Sequence, residues 1–189
     1  MRTLLLGDIA DVSSPLTLRG HFDECQHGNA RLLTIRDLVS MNPFNPEKLP
    51  LVSAAKPASR TSITENDILM PARGQNYPAR IVPITKEAIF PTGQIHVIRT
   101  YAISPLYLLW YLNRQATQDQ IALKLTGSTI QSLKKSDLQR LEIKIPESSA
   151  QEMIGDLFQM NLQRAVARDE LARLEAQEIS IICESAIRG

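Results

Sequence analysis

At 189 residues, with 43% apolar and 22% charged side chains, the chain has room for one globular domain and an appended element. Its net charge of +1 is unevenly spread: residues 1–146 hold 17 Lys/Arg against 12 Asp/Glu, and residues 147–189 hold 4 against 8. The first part therefore suits a polyanion and the second a protein partner. Cys25 and Cys183 lack paired spacing, which argues against a disulfide framework or zinc site, and Cys25-Gln26-His27 has no second ligand pair to complete it.

In chain order, Leu4-Leu5-Leu6 is cut short by Gly7-Asp8, well before the length of a secretory h-region, and Ile9–Val12 reads as a short strand. No apolar run reaches membrane-spanning length, so a cytoplasmic protein is expected. A polar turn at His27-Gly28-Asn29 leads into a strand over residues 31–35, then a short helical turn at Asp37-Leu38-Val39. Prolines at 43, 46, 50 and 57 predict an extended loop without regular elements over residues 42–57. Strands are expected at Ile68-Leu69-Met70, at 80–84, at Ala88-Ile89-Phe90 and at 94–99, the last alternating polar and apolar. Between the first two, the loop Arg73-Gly74-Gln75-Asn76-Tyr77 carries donors and acceptors of the kind that read base edges; a solvated hairpin tip looks the same.

Pro105 opens a helix over Leu106–Asn113, apolar on most sides and so expected in the core. Its Tyr107, Trp110 and Tyr111 have the chemistry of a base-stacking platform, but helical spacing favours core packing. A second helix is expected over Gln115–Leu125, with Ile121, Leu123 and Leu125 partly buried. The stretch that follows is the most informative. Gly127 permits a tight backbone approach, Ser128, Thr129, Gln131 and Ser132 are short polar groups suited to phosphate or base contact, and Lys124, Lys134, Lys135 and Arg140 supply charge opposed by Asp137. A solvated surface would also carry such a cluster. Leu141–Ile145 alternates as a strand and stops at Pro146.

Beyond Pro146 the pattern changes. Two overlapping capping boxes, Ser148-x-x-Gln151 and Ser149-x-x-Glu152, start a helix that meets no proline and one glycine, Gly155, before about Ser185. At about 1.5 Å per residue it would run roughly 50 Å. Met153, Leu157, Met160, Ala167, Leu171, Leu174 and Ile181 follow a 3-4 repeat, interrupted at Arg164 and Glu178, which is an imperfect coiled-coil seam. Ile154, Phe158, Ala165, Ala172 and Ile179 form a second apolar edge. A helix folded back on its own domain is the alternative to one that meets a partner helix.

No enzyme site assembles. Asn42-Pro43-Phe44 is close to an adenine-methyltransferase motif but lacks its second proline, and no Gly-rich cofactor loop follows a strand. Glu142-Ile143-Lys144 is half of a nuclease Glu-x-Lys motif without a Pro-Asp dipeptide to complete it. His21, His27 and His96 have no nearby nucleophile in a local signature.

Read together, these residues resemble one family. Leu6–Val12 resembles the opening of a target recognition domain from the specificity (S) subunit of type I restriction-modification systems. Asn66-Asp67-Ile68-Leu69 with Arg73-Gly74 resembles its mid-domain Gly-Asp-Ile-Leu…Arg-Gly pattern, with Asn66 in place of the usual glycine. Pro105-Leu106-Tyr107-Leu108 with Tyr111-Leu112, and Gly127 through Ile143-Lys144-Ile145-Pro146 to Gln151, resemble two further segments in the family's order.

The resemblance implies an α+β fold: a mixed α/β recognition globule at 1–146 and, at 147–189, a long coiled-coil-type helix for dimerisation and methyltransferase docking. It implies a non-catalytic, sequence-specific binder of double-stranded DNA that directs a methyltransferase (M) subunit, and a restriction (R) subunit where present, to half of a bipartite site. S-adenosylmethionine, ATP and magnesium belong on those partner subunits, and this chain needs no cofactor. Full S subunits have two such domains and two such helices. One of each here implies a half subunit that forms a homodimer, pairs with another half subunit, or is a remnant. The expected DNA contacts are Arg73, Gln75, Asn76, Arg80, Ser128, Thr129, Lys134 and Lys135, and the expected partner-helix contacts are Met153, Leu157, Met160, Leu171, Leu174 and Ile181. The alternative is a protein–protein adaptor that works through the helix and does not bind DNA.

Overall fold

A computed structural model describes residues 2–14, 25, 27–53, 63–127 and 130–188. Its centre is an antiparallel sheet of four strands in the order β2 (Ala10–Ser13), β8 (Ile95–Thr100), β5 (Ile68–Pro71) and β6 (Arg80–Ile81). Strand alternation sends side chains into two cores. Val12, Ile68, Met70 and Ile98 point into the larger one, where they meet helices α2 (Pro105–Asn113), α3 (Gln115–Ala122) and α4 (Lys135–Gln139). Leu69, Ile95 and Val97 point the other way, toward a three-stranded sheet in the order β4 (Leu51–Val52), β3 (Ala30–Leu33) and β7 (Ala88–Pro91), backed by α1 (Ile35–Ser40). The near-continuous apolar run of β5, all four residues buried, is what a strand covered on both faces requires.

Two polar devices fix the ends of these elements. Thr34 and Asp37 form a reciprocal capping box on α1, in which the Asp37 N–H donates to Thr34 Oγ1 and the Thr34 N–H donates to Asp37 Oδ2. Asn66 adopts a left-handed backbone with φ of 65°, which asparagine tolerates better than other residues with a side chain. That accounts for Asn66 standing where the resembled family has glycine. It also aims the buried Asp67 at Arg99, whose Nε and Nη2 each donate to one carboxylate oxygen at 2.7 Å, while the Thr64 N–H donates to Asp67 Oδ2 at 2.8 Å.

β1 (Arg2–Leu5) pairs antiparallel with β9 (Glu142–Ile145), so the first strand is closed by the last before the long helix α5 (Ser148–Arg188). The 41 residues of α5 make it about 60 Å long, somewhat longer than expected. Gly155 lies against α2: a Cβ there would stand 2.7 Å from Leu106 Cβ and 3.3 Å from the Tyr107 nitrogen, so the two helices cross at a separation that only glycine permits. The expected capping boxes do not form among the described residues: the helix already includes Ser148, its first bonds go to the Glu147 carbonyl, and buried Gln151 turns its side chain elsewhere. Its Oε1 accepts from the Ser104 N–H and its Nε2 donates to the Pro146 carbonyl, joining the starts of α2 and α5.

Two further local expectations are corrected, and one element is added. Residues 42–57 are not wholly irregular. Asn45 accepts from the Glu47 N–H and opens a 3-10 turn at Pro46–Lys48, and Leu51–Val52 pairs with β3. α3 ends at Ala122, leaving Leu123 87% exposed rather than partly buried. The five-residue α4 is an element the sequence does not announce, because it is a single turn whose Lys134 cap makes no side-chain bond.

Candidate nucleic-acid interface

Two loops separated by some fifty residues of sequence lie side by side. The Leu133 N–H donates to the Ala72 carbonyl and the Gly74 N–H donates to the Gln131 carbonyl, both at 3.0 Å. The second loop closes on itself through reciprocal bonds between Thr126 and Ser132, of 3.1 and 2.8 Å. Gly127 makes this closure possible: its φ is +111°, and a Cβ would stand 2.5 Å from the Ile130 carbonyl oxygen. Sequence order hides this pairing, because each loop's partner is a backbone atom.

His96 on β8 anchors the pair from beneath. It is buried, its Nε2–H donates to the Leu133 carbonyl at 2.8 Å, and its Nδ1 lies 3.2 Å from Ser14 Oγ. Burial pushes its pKa below the ordinary histidine value, the bond to Leu133 works in the opposite direction, and nearby Lys135 lowers it further. The ring is therefore neutral near pH 7 and accepts the Ser14 hydroxyl at Nδ1. Tyr77 is the other internal support. It is buried, its hydroxyl donates to the Gly74 carbonyl at 3.1 Å, and burial raises its pKa. Asn113 on α2 pairs with the backbone of Ala79 through both ends of its amide, and Gln118 Nε2 on α3 donates to the Tyr77 and Leu112 carbonyls.

These supports free other side chains. Gln75, Asn76 and Gln131 are exposed, and among the described residues their amides make no side-chain hydrogen bond. All three line one open cleft of about 490 Å³ that continues onto α3, where Gln115 Nε2 donates to Asp119 Oδ1 at 2.8 Å. Buried Tyr77 and Ile121 contribute apolar surface to it. Arg73 begins the first loop, and Lys134 and Lys135 follow the second, all three exposed. The structure thus brings together five of the sequence-selected residues: Arg73, Gln75, Asn76, Lys134 and Lys135. Ser128 and Thr129 lie outside the described residues.

Arg80 is placed differently. Its Nε donates to the Met41 carbonyl at 2.6 Å and its Nη1 donates to the Ala79 carbonyl at 3.2 Å, so its guanidinium ties the end of α1 at Met41 to β6. Burial lowers its pKa from the usual arginine value. The structural roles of His96, Asn113 and Gln118 were not readable from sequence, since the carbonyls they serve carry no residue signature. The aromatic set of α2 belongs to the core. Tyr107 and Tyr111 donate their hydroxyls to the carbonyls of Lys144 and Glu142, and the Arg114 guanidinium lies 5.1 Å from the Trp110 ring and 5.0 Å from that of Tyr111.

The second candidate surface runs along α5. Ile154, Phe158 and Leu162 pack on the globule, whereas Met153, Leu157, Met160, Leu171, Leu174 and Ile181 are between 49 and 68% exposed. The two predicted apolar edges thus separate near the start of the helix: one is partly used by the domain, and the other is bare. Among the described residues, no helix is long and apolar enough to cross a membrane, and no group of acidic, histidine or cysteine side chains could hold a metal ion.

Comparison with known proteins gives this arrangement its class. The family described as the type I restriction modification DNA specificity domain matches residues 3–176, nearly the whole chain, and the chain belongs to that family. The family is defined by DNA specificity rather than by catalysis. Among solved structures, a chain from a study of complex assembly and conformational transition of the type I R-M system aligns with a TM-score of 0.67 at 18% identity, over 93% of this chain and 42% of that one. The HsdS subunit from Thermoanaerobacter tengcongensis aligns with a TM-score of 0.58 at 18% identity, over 90% and 39%. The type I S subunit from M. genitalium gives 0.60 at 15%, over 91% and 42%. The chain therefore has their fold over about two-fifths of their length. No curated protein sequence matches the chain.

Proposed function

We propose that this chain is a half-length specificity subunit that reads one half of a bipartite DNA site and directs methyltransferase subunits, with a nuclease where one is present, to that site. Residues 1–146 hold the DNA, and the helix of residues 147–189 carries dimerisation and methyltransferase docking. The observation that carries this reading is the joining of two distant loops into one edge, where exposed cations flank uncommitted amides. Cations at Arg73, Lys134 and Lys135 suit phosphates, which set affinity, and amides suit base edges, which set specificity. Two copies related by a two-fold axis through α5 would present identical half-sites in opposite orientation and so recognise an interrupted palindrome.

The deciding experiment is a strand-resolved map of adenine methylation in cells with and without the gene. Loss of a split, palindromic motif on deletion supports a homodimeric specificity subunit, and loss of a motif with unlike halves points to a second recognition chain. The bare seam of α5 also fits a protein–protein adaptor. That reading predicts an unchanged methylation map and no salt-sensitive retention of the purified chain on DNA. On the DNA-binding reading, Lys134→Ala with Lys135→Ala weakens binding to all duplexes and flattens its log–log salt dependence by about two, roughly one for each phosphate that no longer meets a lysine.

A further inference from the structure

The cleft beside the joined loops has a composition that narrows what it can read. Its carboxylate, Asp119, opposes a phosphate, and its guanidinium, Arg80, is already tied to the Met41 and Ala79 carbonyls. Arg73 lies outside the cleft lining. The free hydrogen-bonding groups at its edge are therefore neutral amides: Gln75 and Asn76 on one loop, and Gln131 on the other.

A carboxamide presents one donor and one acceptor side by side. The major-groove edge of adenine presents the complementary pair, an N6–H donor beside the N7 acceptor, whereas guanine presents two acceptors and leaves the amide oxygen facing another oxygen. A second, independent feature adjoins the amides. Ile130, next to Gln131 at the tip of the closed loop, is 64% exposed although it is a large aliphatic side chain. In an A·T pair the partner of adenine carries a methyl group in the same groove, and an aliphatic contact distinguishes it from cytosine.

We propose that the joined loops read an A·T base pair, with the Gln131 amide meeting the adenine edge and the neighbouring Ile130 meeting the thymine methyl, while Gln75 and Asn76 face adjoining positions. This rests on the DNA-binding reading above and assigns the chemistry of the base pair it recognises. The loops keep their shape without these side chains, because the fastening of Gln131 is through its carbonyl oxygen and that of Ser132 through its backbone.

The test starts with the full chain selecting from a random-sequence duplex library, followed by affinity measurements on the selected duplex with analogue bases. The expected result is an invariant A·T pair at which 7-deazaadenine, which lacks the N7 acceptor, weakens binding about tenfold or more. Uracil in place of thymine should weaken it by a smaller factor, and Gln131→Ala should relax selection at that pair while leaving the melting temperature unchanged. Full affinity with both analogues at every A·T pair of the selected site, or selection unchanged by Gln131→Ala, overturns the assignment while leaving DNA recognition standing. Recovery of no preferred duplex overturns the DNA-binding reading, and this inference with it.

Discussion

The globule and the far part of α5 are built on opposite terms. Up to Leu162 the chain contributes to a shared core, and Gly155, Phe158 and Leu162 bind the start of the helix to α2 and its surroundings. From residue 163 to Ile187 every described position is exposed, Val166, Leu171, Leu174, Ile179 and Ile181 among them. A helix this long and exposed gains little from its own propensity and needs packing to be stable in water. The contrast shows that a single uninterrupted helix can be domain core at one end and bare to solvent, apolar side chains included, at the other.

The sharpest way to break the contrast is on the globule side. Asp67→Ala removes a buried acceptor for the half-exposed Arg99 and for the Thr64 N–H, and is expected to lower unfolding free energy by about 2–3 kcal/mol in urea denaturation. Gly155→Leu forces α5 away from Leu106 and is expected to cost about 1–3 kcal/mol by the same measurement, with Phe158 becoming more accessible to solvent.

A smaller effect concerns pH. His96 has a lowered pKa in the fold, so the unfolded chain binds more protons at mildly acidic pH, and stability must fall as pH drops through the unfolded value of about 6.5. Above that value the contribution is fully present. Denaturation midpoints at pH 7.5 and 5.5 should separate in the parent chain and draw together in His96→Gln, whose amide can still donate to the Leu133 carbonyl. The smallest effect is expected on the far helix. Leu171→Ala with Leu174→Ala should shift the stability of the isolated monomer by no more than about 0.5 kcal/mol per site. The same pair should abolish any self-association seen by sedimentation, and a large monomer destabilisation would show that the far seam is already packed.

Much of the architecture was legible because local rules determine it. Period-two alternation located β8 and β9, Pro105 marked the start of α2, and the lack of turn formers after Pro146 announced α5. The 3-4 repeat also identified the edge of α5 that is bare. What stayed hidden depends on backbone partners far away in sequence. Nothing in the string ties Gly74 to Gln131, or His96 to Leu133, and Arg80 looks like any surface cation until Met41 is seen beside it. The residues proposed to read DNA were visible as chemistry, but not as neighbours.

The manner in which the two loops are joined bears on how such a protein changes. The bonds at Ala72–Leu133, Gly74–Gln131 and Thr126–Ser132 all run between main-chain atoms, and these are the same atoms whatever side chain is present. Of the residues involved, Gly74 at φ +129° and Gly127 at +111° have backbones that other residues rarely adopt, whereas Gln75, Asn76, Ile130 and Gln131 carry no structural duty through their side chains. The scaffold thus separates grammar from vocabulary. On the proposed DNA-reading role, single substitutions at the tips would rewrite what is recognised while the frame that presents it stays intact, so a lineage could move from one target to another through folded intermediates.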